Sequence, residues 1–217
     1  MSTVFVKSYP EIKVNKKEIL RYAKGADEDV ADELLKEALP KLSYKVCYMK
    51  FPVKREGNML DLGFMKTDSK SLLKNLDGCD EIVLFGATIG IEFDRLMQRY
   101  IHLSPAKAFI LQGIGAERIE SLCDAFCEEM KTDAEKRGKF TRPRFSAGYG
   151  DFTLDAQKDI FSVLDCARKI GLTLTDSLIM SPSKSVTAIV GISDTPSCKA
   201  HKCASCDKKD CEYSGMI

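Results

Sequence analysis

Four cysteines near the C-terminal end have the residue type and spacing best suited to chemistry. Cys198, Cys203, Cys206 and Cys211 follow the pattern C-x4-C-x2-C-x4-C, while the other five cysteines are scattered along the chain. Four thiolates so close together can converge on one soft metal ion or one iron–sulfur cluster. The segment also contains four lysines and no apolar run, so burial in a core does not explain the cysteines. The sequence therefore predicts a metal centre in this tail.

The spacing favours an iron–sulfur cluster over zinc but leaves both open. Structural zinc sites usually present two C-x2-C pairs a dozen or more residues apart, and only one such pair occurs here. The opening C-x4-C-x2-C matches plant-type ferredoxins, although their fourth ligand lies further downstream. His201 is a substitute ligand, and an unliganded tail is the remaining alternative. Disulfides are disfavoured because residues 1–14 lack the apolar run of a secretory signal, which predicts a cytoplasmic protein.

The composition is balanced and points to no polyanionic or membrane partner. The 217 residues include 33 basic and 32 acidic side chains, giving a net charge of +1. The longest apolar run, around Ile82–Ile89, is too short to span a bilayer. We therefore expect one large domain over residues 1–195 and a metal-binding tail over residues 196–217, with no nucleic-acid or membrane partner.

A second segment, Arg142–Phe152 (RPRFSAGYGDF), combines residues that could bind a small molecule. Its small residues, including Ser146 and Gly148, leave the backbone N–H and C=O groups accessible to a ligand. Arg144 offers a fork of donors for a carboxylate, and Tyr149 offers an aromatic face with a polar tip. The segment could cradle a cofactor that carries an amino-acid group. The alternative is an ordinary loop in which Arg144 forms a surface ion pair.

The elements that must position this segment are predicted from hydrophobic periodicity and capping residues. Helices are expected over residues 16–22, 27–42, 69–76, 91–102, 105–137 and 154–170. Gly113 and Gly115 are costly inside a helix and should mark a break or a close approach by another backbone.

Strands are expected at three places along the chain. Residues 45–53 and 59–66 should form one hairpin, and residues 178–192 should form a closing hairpin around Pro182–Lys184. The fully apolar run 81–87 should lie at the centre of the sheet. These patterns predict an α+β fold, with a mixed or antiparallel twisted sheet and flanking helices.

Three segments carry a resemblance to a known family. RFSAGYGDF resembles the R-x-x-x-G-Y segment of the activation domain of cobalamin-dependent methionine synthase, which binds S-adenosylmethionine. Met180–Thr187 (MSPSKSVT) resembles the M-W-P-x-x-S-V-S stretch of that domain, with Ser181 in place of tryptophan. GAERIESLCDAF, within residues 106–126, is similar to the family's acid-bearing helix. The segments occur in the family's order, and the resemblance covers most of residues 1–195.

The resemblance implies particular ligand contacts in the Arg142–Phe152 segment. Arg144 would face the methionine carboxylate of S-adenosylmethionine. Ser146 takes the position of an alanine whose backbone makes the contact, and Gly148 and Tyr149 match the family directly. No catalytic acid or base is predicted, since the domain's task is to bind and orient.

The resemblance also implies a function that needs a partner. In methionine synthases this domain ends a longer chain with homocysteine, folate and cobalamin modules, none of which fits into 217 residues. Cobalamin is therefore expected only through a partner, a cobalamin-dependent methionine synthase or another corrinoid protein. Glu117, Glu120 and Asp124 lie on the helix that in the family faces the cobalamin module, although solvated surface carboxylates are an equal interpretation.

Two function hypotheses follow from these features. The first is a stand-alone reactivation factor that binds S-adenosylmethionine for reductive methylation of cob(II)alamin, with a cluster in the tail delivering the electron. The alternative is a non-catalytic docking or sensing module for a corrinoid protein, with a structural zinc ion in the tail. A methyltransferase that works without cobalamin is disfavoured, because no glycine-rich nucleotide loop follows a strand.

Overall fold

A computed structural model of the protein describes residues 3–196. The strands, in chain order, are β1 (Phe5–Tyr9), β2 (Tyr44–Pro52), β3 (Lys54–Glu56), β4 (Met59–Asp61), β5 (Lys66–Thr67), β6 (Cys79–Thr88), β7 (Phe140–Thr141), β8 (Thr173–Leu174), β9 (Met180–Ser181) and β10 (Ser185–Ser193). The helices are α1 (Lys16–Tyr22), α2 (Glu28–Ala38), α3 (Lys70–Asn75), α4 (Ile91–Leu103), α5 (Pro105–Lys136), α6 (Ala156–Leu164) and α7 (Cys166–Ile170). No helix in this part of the chain is long and apolar enough to cross a membrane.

The main sheet has five strands in the order β1-β2-β6-β10-β7, and every neighbouring pair is antiparallel. Strand β6 lies at its centre, as its apolar sequence predicts. Side chains alternate along this strand, so Val83 and Phe85 enter one core while Ile82 and Leu84 enter the other. Both faces of the sheet are therefore covered. The predicted α+β fold with an antiparallel sheet and flanking helices is confirmed.

The first face of the sheet is covered by α1, α2, α4 and α5. Helix α5 is continuous through its two glycines, and both lie where another element approaches closely. A Cβ atom on Gly113 would lie 3.0 Å from the Cβ of Ala23, at the end of α1. A Cβ atom on Gly115 would overlap the ring of Phe93 on α4. The glycines mark close approach and not a helix break.

The second face is covered by α3, α6, α7 and the small sheet β3-β4-β5. One helix was expected over residues 154–170, and this prediction is wrong. The chain divides at Asp165, whose φ of 51° places it in the left-handed region, and α7 begins at the next residue. Aspartate is among the few residues that tolerate this conformation, so the chain can divide here without a glycine or proline. The apolar periodicity of the sequence therefore hardly changes at the break.

Both predicted hairpins are also wrong. Strand β2 pairs with β1 and β6, whereas residues 59–61 form β4, which pairs with β3 across a turn at residues 57–58. Strand β10 pairs with β6 and β7, and the short β9 pairs with β8. The two long strands β2 and β10 are largely buried, so each needs a neighbour on both edges inside the sheet. Those neighbours come from distant parts of the chain.

Candidate functional site

A cleft of about 850 Å³ lies between α5, β10 and the loop of residues 142–151, which we call the cleft loop. Glu120, Asp124, Cys127 and Glu128 from α5 form one wall. The lining also includes Lys131, Arg142, Arg144, Ser146, Ala147, Tyr149, Leu154, Gln157 and Thr187. Three of the four predicted ligand residues, Arg144, Ser146 and Tyr149, thus lie in its lining. The fourth, Gly148, lies between them in the loop.

Hydrogen bonds to β10 and its extension hold the first half of the cleft loop. The backbone N–H of Arg142 donates to the Gly191 carbonyl at 2.8 Å, and its guanidinium donates to the Thr195 carbonyl at 3.0 Å. Phe145 and Ile189 exchange two backbone hydrogen bonds, both of 2.8 Å. The loop is therefore joined to the central part of the sheet just before and just after Arg144.

Asp151 holds the far end of the cleft loop by capping α3. Its carboxylate accepts hydrogen bonds from the Ser69 hydroxyl at 2.6 Å and from the backbone N–H groups of Lys70 and Ser71 at 2.8 Å and 3.0 Å. The Ser69 hydroxyl and the Ser71 N–H hold the pKa of Asp151 well below its ordinary value. Gly150 has a φ of 59°, and a Cβ atom there would lie 2.8 Å from the Cβ of Ser71. Only glycine allows this close approach.

The centre of the cleft loop presents peptide groups and an aromatic ring. Gly148 donates its N–H to the Phe152 carbonyl at 2.7 Å, and Tyr149 donates to the Ser146 carbonyl at 3.3 Å. Within residues 3–196, these and the other backbone bonds leave the N–H of Ser146 and both peptide groups of Ala147 without a partner. The Tyr149 side chain is exposed and meets the Phe145 ring edge-on, with centroids 6.5 Å apart. The loop therefore offers both hydrogen-bonding groups and a ring to a ligand.

Arg144 forms ion pairs with two carboxylates of α5. One guanidinium nitrogen donates to Asp124 Oδ1 at 2.7 Å and the other donates to Glu120. Burial alone would lower the pKa of Arg144, but Cys123 and the two carboxylates raise it overall, so the guanidinium stays charged. These bonds use two of the five N–H donors of an arginine. The ion pair that the sequence left as an alternative thus exists, inside the cleft and with donors to spare.

Glu117, the third acidic residue singled out on α5, is buried and has a structural role. Together with Arg118 it forms a buried ion pair. Arg118 also donates to the carbonyl oxygens of Ile12 and Lys13 at 2.8 Å and 2.7 Å, and Glu117 accepts from the Asn15 N–H at 2.8 Å. The interpretation of Glu117 as a solvated carboxylate is wrong, since it attaches the segment before α1 to α5.

One polar pair in the cleft was missed by sequence reasoning. The hydroxyl of Thr187 on β10 donates to Gln157 Oε1 on α6 at 2.8 Å, and both side chains are buried. Gln157 lies on the core-facing side of an amphipathic helix, and a polar residue at such a position was the available signal. Burial raises the pKa of the nearby Cys127 thiol, while Arg144 opposes that change.

The predicted metal ligands Cys198, Cys203, Cys206 and Cys211 lie outside the described residues, so the metal site stays a prediction. Within residues 3–196, no group of three or more His, Cys, Asp or Glu side chains is placed to hold a metal ion. The five cysteines of this part are free thiols, three of them fully buried, as expected for small core residues.

The fold and the cleft together define an α+β domain in which a loop and a long helix face each other across a cleft. The family model described as vitamin B12 dependent methionine synthase, activation domain, matches residues 72–214. The chain belongs to this family, as the resemblance predicted. The matched range begins in α3, contains the whole cleft loop and extends over all four tail cysteines.

A solved structure shares the fold. The crystal structure of the MetH reactivation domain bound to AdoHcy has a TM-score of 0.58 with this chain at 14% sequence identity. The similarity covers 87% of this chain and 78% of that chain. Among curated protein sequences, none matches this chain.

Proposed function

We propose that this chain is a stand-alone reactivation factor that binds S-adenosylmethionine for the reductive methylation of cob(II)alamin on a partner. The partner would be a cobalamin-dependent methionine synthase or another corrinoid protein. One observation carries the proposal: the chain belongs to the activation-domain family, and its R-x-x-x-G-Y segment lines the cleft.

The residues present in the cleft fit S-adenosylmethionine. Arg144 has N–H donors left for the methionine carboxylate, in a bond assisted by charge. The unpartnered peptide groups of Ser146 and Ala147 suit the hydrogen-bonding edge of an adenine base. Gly148 has no side chain that could cover these peptide groups. The exposed ring of Tyr149 gives the ligand an apolar face.

The chemistry that follows from such binding needs no acid or base from this chain. When bound, S-adenosylmethionine supplies an electrophilic methyl group for the partner's cobalamin after a one-electron reduction. The cleft residues hold and direct the ligand, so their contribution is proximity and orientation. Since the cleft loop is attached to β10 at one end and to α3 at the other, it can hold that orientation.

We assign the electron-delivery step to the tail on the basis of its four cysteines. A cluster held by Cys198, Cys203, Cys206 and Cys211 could pass one electron to the partner's cob(II)alamin. The family match extends over these cysteines, which is compatible with a role in the same process. A zinc ion in the same place would instead favour the non-catalytic docking module.

Calorimetric titration with S-adenosylmethionine tests the binding proposal. Wild-type protein should bind, and Arg144→Ala should weaken binding by about 1.5–3 kcal/mol through the loss of a charged hydrogen bond. Arg168→Ala is the matched control, because Arg168 is highly exposed and, within residues 3–196, pairs with nearby Asp165, away from the cleft. Equal affinity of the wild-type and Arg144→Ala proteins would contradict the assignment.

A further inference from the structure

In one cluster of the cleft lining, negatively charged side chains outnumber positively charged ones. Glu128 is paired with Lys131, and Arg142 directs its guanidinium towards carbonyl and hydroxyl groups at the end of β10. Arg144, Glu120 and Asp124 form a separate cluster of the lining, while Arg142 keeps its positive charge but directs it to the end of β10. One cation and two anions leave a net charge of −1 at this cluster. A ligand carboxylate alone would therefore meet repulsion as well as attraction there.

The arrangement of the cluster places both anions beside the group that would bind a carboxylate. Glu120 and Asp124 lie one turn apart on α5, and each accepts a hydrogen bond from the Arg144 guanidinium. The side chains of Glu120 and Asp124 remain 42% and 74% exposed, so both can still interact with a ligand. In S-adenosylmethionine, the ammonium group is next to the carboxylate, and the sulfonium follows after two methylene groups. A carboxylate held by Arg144 thus brings positive charge towards the two anions.

We infer that Glu120 and Asp124 are specificity-determining residues that select a ligand with a second cationic centre, a sulfonium, close to its amino-acid group. This inference rests on the proposed function of the cleft. It implies that the cleft prefers S-adenosylmethionine, with its sulfonium, over S-adenosylhomocysteine, whose sulfur is neutral. Loss of the methyl group would remove one positive charge from the ligand and favour its release.

Titrations of both ligands against wild-type protein and the double variant Glu120→Gln/Asp124→Asn test the inference. Wild-type protein should bind S-adenosylmethionine more tightly than S-adenosylhomocysteine. In the double variant we expect the ratio of the two affinities to fall about tenfold, since two partly exposed carboxylates act on one charge through a largely aqueous environment. The preference of the wild-type protein should also weaken as the salt concentration rises.

Glu135→Gln is the matched control, because it removes one charge from the exposed surface of α5 outside the cleft lining. It should leave the affinity ratio unchanged. If the double variant does not fold, as judged by circular dichroism, the single variants Glu120→Gln and Asp124→Asn replace it, each with a smaller fall in the ratio.

An unchanged affinity ratio in folded variants would overturn the inference while leaving the proposed function intact. If both ligands then bound more tightly by the same factor, the carboxylates would only compete with the ligand for Arg144. If wild-type protein binds neither ligand, the proposed function itself fails, and the inference fails with it.

Discussion

Arg144 is held by Glu120 and Asp124 before any ligand arrives, and this fixes the direction of its guanidinium. A free arginine side chain loses considerable rotamer entropy when it binds a carboxylate. Here much of that loss occurs during folding, so a ligand gains more from the same hydrogen bond. The ion pairs therefore serve binding, even though they use two of the donors.

Replacing Gly148 with valine should weaken S-adenosylmethionine binding about tenfold or more, as measured by calorimetry. Gly148 has a φ of 95°, and a Cβ atom there would lie 3.0 Å from Leu154 Cδ2 at the cleft. A side chain in this conformation costs about 1–3 kcal/mol, which displaces the loop from its ligand-binding shape.

Gly138→Val is the control for this change. Gly138 also has a positive φ, of 72°, but a Cβ atom there would meet nothing within 4 Å, and the residue lies outside the cleft lining. Both variants should lose stability, and only Gly148→Val should lose affinity. Equal affinities in the two variants would show that the loop backbone does not contact the ligand.

The sequence pointed to a segment that lines the cleft, and its ligand contacts stay a prediction. The partners of Arg144 could not be predicted. Small residues between an arginine and a tyrosine already indicate an accessible backbone, whatever the surrounding fold. The contact between Arg144 and the carboxylates of α5, which lie 20 and 24 residues earlier in the chain, depends on how that helix packs across the sheet. The pattern of residue types within one segment gives no information about how that helix packs. Glu117 was misread for the same reason, since its burial depends on the segment before α1.

Helix α5 is the element that joins the cleft to the core, and Gly115 shows how tightly it packs. Glycine to alanine inside an unconstrained helix would stabilise it by about 1 kcal/mol. At Gly115 the new Cβ would overlap the Phe93 ring and lie 2.9 Å from Lys184 Cε. Overpacking of this kind costs about 1–3 kcal/mol, which should exceed the gain in helix stability.

We therefore expect Gly115→Ala to lower the free energy of unfolding, measured by denaturant titration. Gln112→Ala, at an exposed position of the same helix, should be nearly neutral. A stabilised Gly115→Ala protein would mean that α4 and α5 lie further apart than the structure shows.

The cap that Asp151 forms on α3 should make the stability of the protein depend on pH. Its pKa is lowered in the folded state, so its contribution is fully present above the unfolded pKa of about 3.9 and is lost as pH falls through the folded pKa. Asp151→Asn should be less stable than wild type at pH 7 in thermal unfolding, and the difference should shrink below about pH 4.

Asp176→Asn, a change at an exposed loop carboxylate, should show no such dependence. A difference between wild type and Asp151→Asn that stays constant down to pH 2.5 would contradict the role of the cap, since the stabilising charge would then be elsewhere.

The secondary structure was easier to predict than the pairing of strands. Apart from the division between α6 and α7 at Asp165, the helices and the central strand β6 follow from periodicity, because each pattern is a property of its own segment. The strands that pair with β2 and β10 do not follow from periodicity. In three of these four pairings, the paired residues lie 35 or more positions apart along the chain. The fold class was nevertheless right, because antiparallel pairing arises here from long connections as well as from hairpins.

The described part of the chain closes its sheet and both cores before residue 197, which bears on the role of the tail. Deleting residues 197–217 should leave the melting temperature and the binding of S-adenosylmethionine unchanged. The same deletion should abolish methylation of the partner if the tail delivers the electron. Unfolding of the truncated protein would show instead that the tail belongs to the core.

The identity of the tail metal separates the two function hypotheses. Protein prepared without oxygen should contain iron and absorb visible light, and Cys203→Ser/Cys206→Ser should lose both. One equivalent of zinc without iron would rule out the electron-delivery role and favour docking. Cys47→Ser is the control, because Cys47 is buried in the domain core and should not affect the metal content.

The attachment of the cleft loop at both ends has a consequence for the kinetics of ligand association. Arg142 and Phe145 tie the loop to β10, and Asp151 ties it to α3, so little of its backbone is left to rearrange. Binding should therefore occur in one step, with an observed rate that rises linearly with ligand concentration and shows no slow phase of loop closure. The rate of the reactivation cycle would then be limited by the partner protein and not by closure of the loop.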